Sequence, residues 1–183
     1  MRPFTSIRER RLWLSTLAVV VAIYATLGLT GRLASTLREA GLMSAFFAIG
    51  MMLTGVAIVV QGLRSRPGSA EIAVALGVAT VYFMVFVRMG SHEERTHLIE
   101  YGIVALLIHA ALNERAIRSP HMPAPAALAV TIASFLGALD ELIQALLPTR
   151  VFDPRDILFN TLAAILAVSA IKALRWARQH AGR

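Results

Sequence analysis

The sequence predicts an all-α, polytopic transmembrane helix bundle of about six spans. Three observations lead there. Apolar residues make up 57% of the 183 residues and charged ones only 16%, where a soluble domain carries about a quarter charged. Mean hydropathy is +0.66. The charges fall in clusters between long apolar runs, and those runs follow one another too closely for a second domain. Residues 1–183 therefore read as one transmembrane domain.

Met1 to Arg11 is a basic head with Arg2, Arg8, Arg10 and Arg11. Leu12 to Thr30 follows without a charge; at 19 residues it is longer than a signal-peptide core and reads as a retained first span. Leu42 to Gly62 is the second span, with Gln61 its one strongly polar side chain. Residues 64–69 make a turn rich in Arg, Ser, Pro and Gly, and Ile72 to Val87 is the third span. Ser91-x-x-Glu94 has the spacing of a capping box at the start of the fourth. His92 to Leu112 covers 21 residues, roughly 31 Å at 1.5 Å per residue, enough to cross.

Asn113 to Pro125 reads as a polar connector with three prolines. Ala126 to Leu147 is the fifth span, stopped by Pro148. Asp153 then suits an N-cap and Pro154 the first helical position, so a sixth span runs from there to about Ala173. Lys172, Arg175 and Arg178 form a basic tail.

Composition also excludes classes of function. The chain has no cysteine, so disulfides, zinc-thiolate sites and thiol nucleophiles are out. The net charge is +7 and 17 of the 18 basic residues are arginine. These arginines flank apolar spans, which points to anionic membrane lipids and topology and not to nucleic acid. With six spans both termini share a side. That side collects twelve basic residues against six on the other, which predicts cytoplasmic termini and a bacterial inner-membrane location.

This topology sends the connectors after the third and fifth spans outward, where most of the interesting polar residues lie. His97, Glu100 and Tyr101 share one helix face at i, i+3, i+4. Asp140, Glu141 and Gln144 sit near the end of the fifth span, and Asp156 and Asn160 near the start of the sixth. Three helices each offer a polar stripe at the same end, and one outward polar pocket is expected to gather them.

Seven acids there (Glu93, Glu94, Glu100, Asp140, Glu141, Asp153, Asp156) face four bases (Arg88, Arg95, Arg150, Arg155). Such an excess fits a bound divalent cation, a cationic ligand group or protonated carboxyls. An oxygen-rich set with one imidazole suits Mg²⁺, Mn²⁺ or Ca²⁺ better than Zn²⁺. Nothing in the pattern assigns one cation, one ligand or an oligomeric state.

Several of these residues also have structural readings. Asp153 is foremost a helix cap, and Asp156 favours the helix dipole. Arg150 either snorkels to headgroups, pairs with Asp153 or holds an anionic ligand. His109 reads as a polar group facing another helix. Asp140, Glu141 and Glu100 are harder to explain structurally, because a charged residue such as Asp at mid-span costs roughly 2.5–3.5 kcal/mol on insertion scales. Asp140, Glu141, His97 and Glu100 are therefore the catalytic candidates. Arg150, Gln144, Tyr101, Asp156 and Asn160 are the substrate-binding ones.

The segments ERTHLIEYG, LGALDELIQ and LPTRVFDPRDILFN, in that order and spacing, resemble the VanZ-like family of bacterial membrane proteins. The likeness covers roughly residues 92–172, a core preceded by three N-terminal spans. Ala163 and Ala164 stand where the family pattern often has glycine, which implies a less closely packed last helix. The family is named for a protein associated with low-level teicoplanin resistance, so the resemblance implies a role at the cell envelope.

Two readings follow from the sequence. One is an enzyme acting on a lipid-linked or cell-wall-derived substrate, with Asp140 or Glu141 as general base or metal ligand and His97 as its acid/base partner. The other is a non-catalytic protein that binds a ligand, confers antibiotic tolerance or serves a structural role in the envelope. A transporter is a weaker variant, because the inner halves of the spans carry mainly His109 and Gln61.

Overall fold

A computed structural model describes residues 4–39, 41–42, 49, 67–89, 92–119, 124–147 and 152–180. Its elements are α1 (Ile7–Glu39), α2 (Ser69–Arg88), α3 (His92–Arg118), α4 (Pro125–Gln144) and α5 (Pro154–His180), with no strand among the described residues. The stretches Ser69–Arg88, Arg95–Arg118, Pro125–Gln144 and Pro154–His180 are each long and apolar enough to cross a membrane. The second expected span, Leu42–Gly62, lies outside the described residues except at Leu42 and Ile49.

Helices α3 and α5 form the centre. α5 packs against α2, α3 and α4, and α3 also packs against α1 and α4. Small residues let these helices approach, as expected where van der Waals packing drives association in lipid. Ala105, Ala129, Ala133, Ala163 and Ala164 are all fully buried. Around them Val104, Ile108, Leu112 and Val168 fill the core. Large apolar side chains such as Leu17, Phe83, Phe135, Leu142 and Trp176 point outward, which is the orientation lipid favours.

Helix ends depart from the expected span limits, always by helix continuing into polar sequence or stopping short of it. α1 continues past Thr30 to Glu39. α3 does not give way to a loop at Asn113 but runs on to Arg118, next to Ser119 and Pro120. The extra turns are useful because Arg115 and Arg118 reach the N-terminal segment. Arg115 Nε donates to Glu9 Oε1 at 2.7 Å, and Arg118 Nη1 donates to the Thr5 carbonyl at 2.9 Å. α4 ends at Gln144, four residues before Pro148, and its last carbonyls are taken by the tightened turn through Leu146 and Leu147. α5 continues past Ala173 to His180, and its Arg178 pairs with Glu71 at the start of α2.

The N-terminal segment is more structured than a basic head. Ser6 caps α1 by accepting the Glu9 N–H at 2.9 Å, while Glu9 reaches back to Thr5 N and Thr5 Oγ1 at 2.6 and 2.7 Å. Ser6 also donates to Glu114 Oε1 at 3.0 Å. Glu9 is fully buried. Burial alone would raise its pKa, but the Thr5 donors and Arg115 outweigh that and hold it below the usual glutamate value.

Candidate functional site

At the opposite end of α3, α4 and α5, polar side chains from all three helices meet. His97 lies in the second turn of α3, Asp140 and Glu141 in the last turn of α4, and Asp156 in the first turn of α5. His97 stands between two carboxylates: Nδ1 is 3.9 Å from Asp140 Oδ2 and Nε2 is 3.8 Å from Asp156 Oδ2. One donor atom each from His97, Glu141 and Asp156 lie within 4.8 Å of one another. Asp140 and Glu141 are fully buried and His97 is nearly so, whereas Asp156 keeps some exposure. The cluster therefore has an inner wall and one side nearer the surface.

The surrounding structure holds these groups in place. Gln144 Nε2 donates to Glu141 Oε1 at 3.1 Å, the i, i+3 contact expected from spacing. The backbone N–H of Asp153 points at the other oxygen, Oε2, at 3.4 Å. Asp153 itself caps α5, its Oδ1 accepting the Arg155 N–H at 2.9 Å. One residue thus starts α5 with its side chain and ties that start to Glu141 with its backbone.

Two tyrosines hold the helix backbone that presents Asp140. The Tyr24 hydroxyl, from α1, donates to the Leu136 carbonyl at 2.8 Å, and the Tyr101 hydroxyl, from α3, approaches the same oxygen at 3.4 Å. In a regular helix that carbonyl also accepts the N–H of residue 140. Tyr101 is buried and near-parallel to the His97 ring, with centroids 6.2 Å apart.

One turn deeper, Asn160 Nδ2 faces the Gly137 carbonyl at 3.4 Å. A Cβ on Gly137 would sit 2.6 Å from Asn160 Cβ. Glycine is required here because α4 and α5 approach too closely for any side chain. The contact sets the spacing between Glu141 and Asp156, one turn nearer the end on each helix.

His97, Asp140, Glu141, Gln144, Tyr101, Asp156 and Asn160 are thus brought to one end of the bundle, as their spacing predicts. Glu100 lies on α3 one turn after His97 and is half-buried. Ser91, Arg150 and the side chains of Glu93 and Glu94 lie outside the described residues. Sequence reasoning missed Tyr24 and Gly137 within the site, and Glu9 and Glu71 at the other end. Of these only Glu9 had a readable signal, because Ser6-x-x-Glu9 has the capping-box spacing.

A family model described as VanZ/LLP1 matches residues 2–175. The match takes in the N-terminal helices as well as residues 92–172. No curated protein and no solved structure matches the chain.

Proposed function

The chain belongs to the VanZ/LLP1 family, and from that premise we propose that it acts on or binds a cell-envelope component in the bacterial inner membrane. The site is the polar cluster at the ends of α3, α4 and α5. It faces the outer leaflet in this reading, with both termini in the cytoplasm, because twelve basic residues flank the spans on the terminal side and six on the other. The natural ligand is lipid-linked or wall-derived, and Arg150 is the residue suited to an anionic headgroup.

One observation carries the reading: three helices bring His97 between Asp140 and Asp156 at 3.9 and 3.8 Å. These separations exceed ordinary hydrogen bonds, so the groups are gathered without being locked to one another. Asp140 orients the imidazole, His97 moves a proton to or from the bound group, and Glu141 or Asp156 serves as the complementary base. A role in resistance to teicoplanin-type glycopeptides belongs to the same proposal.

The test is to incubate purified protein with envelope lipids and follow the mass of each species. A conversion abolished by Asp140→Ala supports catalysis at this site. In parallel, a gene-loss strain is screened against envelope-active antibiotics, glycopeptides included, and complemented with wild type or Asp140→Ala. Rescue by both would remove the cluster from the function.

A second reading is favoured by the complete burial of Asp140, Glu141 and Asn160. In it the cluster is a binding or architectural clasp without turnover. Saturable ligand binding with unchanged lipid masses, lost in Asp140→Asn, identifies that case.

A further inference from the structure

We infer that His97, Glu141 and Asp156 form a binding site for one divalent cation, with Mn²⁺ the best chemical match, and that Asp140 positions the histidine. This deepens the proposed function by naming what the cluster holds: with the ion bound, the imidazole and the two carboxylates serve as ligands in place of the proton-transfer roles given to them above, and the inference rests on the same site but on no particular substrate.

Geometry comes first. The three donor atoms come from three different helices and lie within 4.8 Å of one another. An ion with donors at about 2.1 Å places neighbouring donors about 3 Å apart and opposite ones about 4.2 Å apart. To occupy neighbouring positions the widest pair must close by up to about 1.8 Å, a movement shared between two side chains. The three ligands would cap one side of an ion and leave the remaining positions to water or substrate, which is the open arrangement of a reactive site.

The donor set comes second. Two carboxylates and one imidazole favour Mn²⁺, which accepts both oxygen and nitrogen donors; Mg²⁺ and Ca²⁺ prefer oxygen alone, and Zn²⁺ competes through the imidazole. With Nε2 turned toward Asp156, the Nδ1 side of His97 faces Asp140 at 3.9 Å. A carboxylate behind a ligating histidine is the common outer partner that fixes the ring and raises its basicity.

An independent observation points to a bound species. Asn160 Oδ1 is buried and has no hydrogen-bond partner among the described residues. Asn160 lies one turn beyond Asp156 on α5, and its amide nitrogen faces Gly137, one turn before Glu141 on α4. A buried acceptor without a donor is costly. An ion held by Glu141 and Asp156 lies one turn away from Asn160 along the two helices, and a water on that ion would supply such a donor.

The test uses the full-length protein in detergent micelles, stripped with chelator and titrated with Mn²⁺ alone. Wild type is expected to bind one Mn²⁺ per chain, with nitrogen-14 modulation in the electron spin echo from a coordinated imidazole. His97→Gln should abolish that modulation and weaken binding at least as much as loss of an outer partner does, about tenfold or more. Glu141→Gln and Asp156→Asn should each weaken binding at least as much. Asp140→Asn should keep the modulation and lose about 10–100-fold in affinity. Glu71→Gln, at the other end of the bundle, should bind as wild type.

Thermal melts confirm that each variant is folded. Absence of a saturable site up to millimolar Mn²⁺ overturns the inference, as does a site whose nitrogen modulation survives in His97→Gln. Neither result depends on lipid turnover, so the metal site and the envelope function fail separately.

Discussion

The two ends of this bundle handle buried charge in opposite ways. At the terminal end each acid has a matched base or donor. Glu9 has Arg115 at 2.7 Å and two Thr5 donors, and Glu71 has Arg178. At the far end one imidazole stands 3.8 and 3.9 Å from two carboxylates of other helices, with Glu141 close by. The first arrangement neutralises itself and fastens helices together. The second gathers acidic side chains around an imidazole. Under the proposed function the difference separates a structural use of acidic groups from a functional one, although both lie in helices of similar apolar character.

The sharpest way to break this comparison is Asp140→Asn. It removes a buried titratable carboxyl but keeps the shape. Loss of a positioning carboxylate in proton-transfer chemistry should reduce complementing activity on the order of 10² or more. The thermal midpoint should stay near that of wild type, because the amide fills the same space and can still hydrogen-bond. Quantitative complementation alongside melts of purified protein checks both. A variant that melts well below wild type yet complements fully would move Asp140 to the structural class.

Gly137→Val comes next. Its side chain must enter space held by Asn160, whose Cβ would be 2.6 Å from even the first added carbon. Overpacking of this kind costs about 1–3 kcal/mol. The distinctive outcome is that activity falls further than stability, since the added atoms push apart the helices that carry Glu141 and Asp156. Gly102→Ala is the contrast, because its Cβ would meet Ala167 Cβ at an ordinary 3.8 Å and should change little.

These two residues also mark what the sequence could and could not reveal. His97, Asp140, Glu141, Gln144, Asp156 and Asn160 stand out because polar groups are rare in apolar runs, and helical spacing places them on shared faces. Gly137 does not stand out, since glycine is frequent in membrane helices and only the partner helix shows whether it is needed. Tyr24 is equally silent: one tyrosine in an apolar span reads as packing until the Leu136 carbonyl is seen beside its hydroxyl. Helix limits failed for a related reason. Composition marks where a chain leaves apolar surroundings, but α3 stays helical beyond that point because Arg115 and Arg118 have partners on another segment.

At the terminal end, Arg115→Ala should destabilise by about 1.5–3 kcal/mol, the usual range for a hydrogen bond to a charged group. It should leave activity per folded molecule unchanged. The acid dependence follows from the same pair. The pKa of Glu9 is lower in the folded protein, so its contribution is complete above the ordinary carboxylate range and is lost as pH falls through the folded value. Melts recorded from neutral to acidic pH should show a shallower acid decline in Glu9→Gln than in wild type. An unchanged decline would mean that other carboxylates govern acid stability.

The smallest effect is expected at Glu71→Gln. Glu71 is largely buried, but its partner Arg178 is 68% exposed, so solvent screens much of the attraction. Exposed pairs contribute little, and salt erodes that further. The loss should therefore be a fraction of that for Arg115→Ala and should shrink when melts are repeated at high ionic strength. A large, salt-insensitive loss would mean that the α2–α5 contact is a desolvated clasp like that of Glu9, and that the terminal end fastens all its helices by buried charge.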